Sequence, residues 1–284
     1  MAIRLGNQRK KPGRAIPYIL SGIALIIALG ILGTWLYIGY RMENPPDKNA
    51  PDTPPSYAEE VPTIGRCLLI LETGNNPHYL LIQTNPTAET ISVMEIPSTL
   101  AVDDTTLAKS ASKTKAVSQA LGLSVDHYIQ MNNDSIQEFV SQTDGLIFTL
   151  PEAVSYKDEN GYTVRLNTEE RSLTGPQISA ILSYTQWKDA KTADTIASKL
   201  VAAMLDQYID KNHSLVAYFR ILSNTVKTDL RIDNFNAYKD ELTLLATANN
   251  GTLCQCLSME GTVENGRFLP DKDALKKDTD FYKE

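Results

Sequence analysis

Residues 68–97 read LLILETGNNPHYLLIQTNPTAETISVMEIP. With the two residues before it, the stretch holds three short apolar runs: RCLLILE (66–72), HYLLIQT (78–84) and TISVMEI (90–96). Each is rich in Leu, Ile or Val and about as long as an ordinary strand. TGNNP and NPTAE separate them, and their Asn, Gly and Pro supply turn chemistry. The reading is three successive strands, at least partly antiparallel. Pro97, Ser98 and Thr99 follow the third. Ligands of α/β proteins gather at strand ends, so this loop is the first candidate for a site.

Downstream, helical and strand signals alternate irregularly. Ser112 to Leu121 predicts a helix that stops at Gly122. DHYIQM (126–131) predicts a strand, followed by a helix capped by Asn133 or Asp134 and running to Val140. GLIFTL (145–150) predicts another strand, stopped by Pro151. YKDENGYTVRLN (156–167) predicts a hairpin around Glu159-Asn160-Gly161. A helix opens at Thr174 to Pro176, with proline in the first turn. From Thr192 to Ile209 the apolar residues Ala193, Ile196, Leu200, Ala203 and Met204 recur at helical spacing. Helices over 213–225 and 234–245, a strand over 252–258 and a polar tail (271–284) complete the pattern. It predicts one α/β (α+β) domain over residues 64–270, with a central mixed sheet flanked by helices.

The N-terminus sets the expected compartment. Residues 1–14 carry five basic residues and no acidic one, and Ala15 to Tyr40 then runs 26 residues without a charge. At ~1.5 Å per residue that run spans a hydrocarbon core of ~30 Å. Trp35, Tyr37 and Tyr40 mark an interfacial belt and Arg41 closes the segment. A cleaved signal has a shorter apolar core and a small-residue cleavage site, which LYIGYRMEN does not offer. The expectation is a retained single-pass anchor over 15–41, with residues 1–14 cytoplasmic and the remainder extracytoplasmic at the cell membrane. Residues 42–63 hold six prolines and read as an extended spacer.

Charge and cysteines exclude several classes. The chain is −7 and its basic tail +5, leaving −12 on residues 15–284, so no nucleic-acid footprint is present. Three cysteines make no disulfide framework. Cys254 and Cys256 share one strand face, and either could bridge Cys67 if their strands are neighbours. No Gly-x-Ser-x-Gly elbow, phosphate-binding loop or dinucleotide fingerprint occurs. The three histidines, His78, His127 and His213, stand apart in sequence, and a lone His on a strand is more often structural than catalytic.

Three segments in order resemble the LytR–CpsA–Psr family of cell-envelope proteins. The opening stretch is similar to that family's strand, glycine loop, strand, Asn-Pro turn, and strand ending in Ile-Pro-Arg-Asp. AVSQALGLSVDHYIQMNNDSIQEFVSQTDGLIFTLPEAVSY (116–156) resembles its central helix–strand units, and LNTEERSLTGPQISAILSY (166–184) its Leu-x-Gly-x-Gln-Ala-Leu helix. The resemblance implies transfer of a glycopolymer from a polyprenyl-pyrophosphate carrier to peptidoglycan. Such chemistry needs arginine forks and Mg²⁺ to hold the pyrophosphate, with an aspartate on the metal.

This chain departs from that pattern. Pro77 stands at the family's first aspartate, and Ser98 and Thr99 at the arginine and aspartate after the proline. Gln186 and Lys188 occupy the Arg-x-Arg slots, Asp189 stays acidic, and Thr192 and Thr195 replace later arginines. No arginine lies between Arg171 and Arg220. Removing one charge-stabilising donor commonly costs ~3–4 kcal/mol of transition-state stabilisation. Two functional readings follow. One is a non-catalytic member that binds a polyprenyl-linked polymer, peptidoglycan or another envelope protein, or regulates polymer attachment. The other is an active phosphotransferase with a rearranged site, binding ligand through Lys188 and Asp189, with Asp189 on Mg²⁺ and Asp103 or Asp104 assisting. A deep apolar cavity between sheet and helices would favour a polyprenyl ligand.

Overall fold

The computed structural model describes residues 65–278 with the exception of 75, 76, 86 and 87. The expected membrane span and the whole of the spacer lie outside the described residues. Among those described, no helix is long and apolar enough to cross a membrane.

The opening stretch forms β1 (Arg66–Glu72), β2 (His78–Asn85) and β3 (Thr90–Ile96), an antiparallel meander. Side chains alternate across it. Leu69, Leu71, Leu80, Ile91 and Val93 enter one core, and Leu68, Ile70, Tyr79, Leu81, Met94 and Ile96 enter another. A sheet apolar on both faces must be covered on both.

After the Pro97–Leu100 turn come the ribbon β4 (Ala101–Val102) and β5 (Thr105–Thr106), then α1 (Lys113–Leu121). Gly122 ends α1 at φ +73°, the left-handed cap its position predicted. β6 (His127–Asn132) lies parallel to β1. The cap of α2 (Asn133–Gln142) is Asn132, one residue before the expected pair. Its backbone is extended, and its side chain accepts the Ser135 N–H at 2.9 Å. β7 (Leu146–Phe148), the hairpin β8 (Val154–Lys157) and β9 (Thr163–Leu166), and β10 (Arg171–Leu173) follow, with β10 pairing back on β7.

Four helices then form most of one layer: α3 (Gly175–Leu182), α4 (Ala190–Tyr208), α5 (Leu215–Thr225) and, after β11 (Lys227–Thr228), α6 (Ile232–Ala248). Gly175 lets α3 sit directly on α2, since a Cβ there would meet the Gln137 backbone at 2.4 Å. β12 (Cys254–Leu257) adds to β3 in parallel. The six-stranded mixed sheet runs β11-β6-β1-β2-β3-β12. Helices α2 to α6 cover one face.

Beyond β12 the chain continues into elements not expected from the sequence, the last of them inside the expected polar tail. Residues 261–270 form a hairpin, β13 (Gly261–Glu264) and β14 (Arg267–Pro270), and α7 (Lys272–Asp278) follows. Asn265 and Gly266 both have positive φ, 51° and 73°, as the Asn-Gly pair of a tight hairpin requires. Leu275 of α7 is 2% exposed and joins α1 and the 100–107 segment in covering the second face.

Candidate functional site

Register brings the predicted loop residues to one edge of the sheet. Leu71 pairs with His78, Tyr79 with Ile96, and Glu72 with Asn132, so the ends of β1, β3 and β6 meet the start of β2. Pro77, Ser98 and Thr99 stand at this edge. The end of α3 closes on it. Ser183 lies against Gly74, where a Cβ would be 3.2 Å from the serine's own and φ is already +58°.

The candidate residues are mostly engaged in local structure. The Ser98 and Thr99 carbonyls accept N–H groups from Ala108 and Phe268, both at 2.9 Å. The Asp103 carbonyl accepts from the Arg267 guanidinium, and Asp103 and Asp104 are exposed. Gln186 is exposed. Lys188 is 84% exposed and its ammonium lies 3.8 Å from Glu152, whose carboxylate also accepts the Lys188 N–H at 2.7 Å. Asp189 is the N-cap of α4. One carboxylate oxygen accepts the Thr192 N–H at 2.7 Å and the other the Thr192 hydroxyl at 2.9 Å. The Thr192 amide and then its hydroxyl hold the Asp189 carboxyl below the usual carboxylate range. The Thr195 hydroxyl donates to the Lys191 carbonyl one turn back at 2.7 Å.

Two features were not read from the sequence. The first is a buried His–Glu pair. His78 Nδ1 is 2.7 Å from Glu95 Oε1 and Nε2 is 2.9 Å from the Leu182 carbonyl oxygen. Each side chain of the pair is 17% exposed. Burial opposes the charged imidazole, but Glu95 and the Leu182 carbonyl outweigh it, and the His78 pKa rises above its ordinary value. Burial also pushes the Glu95 carboxyl up, against the pull of His78. The other histidines stand farther from their carboxylates, His127 at 3.6 Å from Asp229 and His213 at 3.7 Å from Asp210.

The second feature is an apolar cavity of about 240 Å³ between the sheet and the helical layer. Only apolar and aromatic side chains line it, among them Leu69, Phe139, Leu200, Met204 and Phe219. Leu71, Met131 and Leu182 carry the lining to the edge just described. Across its wall Phe219 stacks on Phe235 with centroids 4.3 Å apart.

The cysteines do not bridge. Cys67 is on β1 and the other two on β12, with β2 and β3 between them. Three strand spacings put them ~14 Å apart, beyond disulfide reach. All three are free thiols. Burial, then Asp229 and Asp126, pushes Cys67 up to about 12, and burial raises Cys254 and Cys256 too. None is a ready thiolate.

A family model described as the LytR_cpsA_psr family matches residues 109–280, more than half of the chain. The chain belongs to that family. The match begins after Pro77, Ser98 and Thr99 and includes Gln186, Lys188, Asp189, Thr192 and Thr195. Solved structures share the fold. A protein from Eubacterium siraeum is 17% identical with a TM-score of 0.65, over 75% of this chain and 89% of that one. TagV of B. subtilis is 16% identical with a TM-score of 0.62, over 76% and 94%. TagT bound to LI-WTA is 14% identical with a TM-score of 0.54, over 75% and 87%. Among curated proteins none matches the sequence.

The Mg²⁺ that LytR_cpsA_psr membership implies does not fit the donors present. Pro77, Ser98 and Thr99 bring no charge, and both oxygens of Asp189 are engaged by Thr192. Among the described residues no three His, Cys, Asp or Glu are grouped to hold an ion. Hard divalent cations need several oxygen ligands on one centre.

Proposed function

We propose that this protein is a non-catalytic, membrane-anchored member of its family. It binds the lipid part of a polyprenyl-linked cell-envelope polymer in its apolar cavity and does not transfer the polymer. The uncharged segment 15–40 is the anchor and the domain faces the cell envelope. The observation that carries the reading is a contrast: the cavity between sheet and helices is wholly apolar, while no arginine stands at the family's positions. TagT, of the same fold, is bound to LI-WTA.

The physics sets what such binding achieves. Each CH₂ taken out of water is worth ~0.8 kcal/mol, so a five-carbon unit brings roughly 4 kcal/mol before ordering costs. A chain leaving a bilayer gains almost none of this, because lipid tails are as apolar as leucine. Without a cationic grip on the pyrophosphate, a lipid drawn from the membrane is held by packing alone and exchanges readily. That suits a sensor or presenter better than a transferase. A transferase built on Lys188 and Asp189 would first have to release one from Glu152 and the other from its cap.

Two assays on the full chain test the reading. The expected result is quenching of Trp187 by nitroxide-labelled farnesol, together with no transfer from a lipid-linked polymer to peptidoglycan in the presence of Mg²⁺. Turnover that disappears in Lys188→Ala and Asp189→Ala would overturn it.

A further inference from the structure

The ring of His78 faces two acceptors. A carbonyl oxygen has no proton to give and neither has an ionised carboxylate, so both ring nitrogens must carry protons to satisfy Glu95 and Leu182. A neutral imidazole has only one. With Glu95 ionised, the two acceptors select the doubly protonated ring. His78 opens β2, Glu95 lies near the end of β3, and Leu182 ends α3 while its side chain lines the cavity. The second Glu95 oxygen is buried, and the backbone of Ser198 on α4 lowers the carboxyl's pKa. On α4, Asp194 adds negative charge to the surroundings of Glu95.

We propose that His78 is a proton-operated latch: doubly protonated, it ties the end of α3 to the sheet, and losing the Nε2 proton frees that end and opens the cavity. The inference rests on the reading of the cavity as a lipid site and names its regulation. When the ring loses one proton, the remaining one stays on Nδ1, because a carboxylate is a stronger acceptor than a carbonyl. The Nε2 lone pair then faces the Leu182 oxygen at 2.9 Å, and an attractive contact becomes repulsive. The last turn of α3, with the Leu182 side chain in the cavity wall, moves outward. The upward displacement of His78 sets the sign: the latch is closed on the acid side of its midpoint and opens on the alkaline side, and that midpoint lies above histidine's ordinary value.

The test uses the full chain with Trp35→Phe, which leaves Trp187 as the sole indole. Nitroxide-labelled farnesol, uncharged throughout, is mixed with it from about pH 6 to about pH 9, a range spanning histidine titration. The association rate is expected to rise about two- to tenfold, as loss of one net hydrogen bond implies. Ring ¹⁵N shifts should show His78 doubly protonated at about pH 6 and losing one proton with the same midpoint as the rate. Amide exchange at the end of α3 should accelerate through that midpoint, and Glu95→Gln should move it to lower pH. A ring still neutral at about pH 6, or a titrating ring with unchanged exchange at α3, overturns the latch. Absence of farnesol binding at every pH overturns the lipid-site reading instead, and ring shifts and exchange still decide whether the latch exists.

Discussion

Leu71 and Glu72 are adjacent in the chain and belong to regions under different rules. Leu71 lines the cavity, and Glu72 stands exposed at the edge above it. The cavity wall is built from more than a dozen interchangeable side chains, and its contribution scales with area. Replacing one leucine by an isoleucine or methionine leaves such a wall apolar. The edge is different. Recognition of a pyrophosphate depends on a few forks at fixed positions, and a serine for an arginine removes one entirely. A sequence that drifts would therefore keep a lipid pocket long after losing a phosphate site, and the proposed function reads this chain in that way.

The sharpest test of the difference compares the two sheet faces. Leu81, on the packed face, is fully buried. Leu81→Ala should cost about 3–4 kcal/mol in urea unfolding. Leu205 lines the cavity and is only partly buried. Leu205→Ala should cost about half as much, because one side of the residue already lacks packing partners. Equal costs would mean that the cavity is filled in solution. Filling it deliberately is next. Met204→Trp should weaken farnesol binding by at least about tenfold with the fold intact, since an apolar ligand has no other hold. Farnesyl pyrophosphate addresses the edge. The pair Ser98→Arg and Gln186→Arg should raise its affinity about three- to tenfold and make it salt-sensitive, while leaving farnesol unchanged. An equal gain for farnesol would break the separation between the regions.

Smaller effects belong to Asp189 and Lys188. Asp189→Ala removes a cap and should lower Tm by about 2–4 °C, and Asp189→Asn should restore most of that loss. Lys188→Ala breaks an exposed pair and should move Tm by less than about 1 °C. Loss of ligand binding in Asp189→Asn would instead assign the carboxylate to a site.

The sheet was legible because alternation and turn residues are local signals. The meander, the end of α1 at Gly122 and the hairpin at Glu159-Asn160-Gly161 all rest on residues close in sequence. Asn265-Gly266 carried the same kind of signal for β13 and β14, a stretch placed inside the domain with no hairpin assigned to it. The cavity was not legible, because a leucine facing a void and a leucine facing a neighbour have the same sequence pattern. Nor was the His78 pair, since Glu95 is 17 residues away and Leu182 is 104. The reading of Ser98, Thr99 and Gln186 as departures rests on motif positions alone. That Asp189 and Lys188 are engaged by Thr192 and Glu152 required the geometry of the loop before α4.

The parallel pairing of β12 on β3 has a consequence for how the chain must be completed. β3 is made early, but its outer edge is covered only by residues 254–257. Until those residues arrive, TISVMEI presents open backbone donors and acceptors on a flat, apolar strand, the kind of edge on which chains aggregate. A product ending before β12 would retain the cavity-forming helices and still be prone to self-association. The final stretch thus serves as the seal of the sheet, and a nonsense lesson anywhere upstream of it is more damaging than its small share of the length suggests.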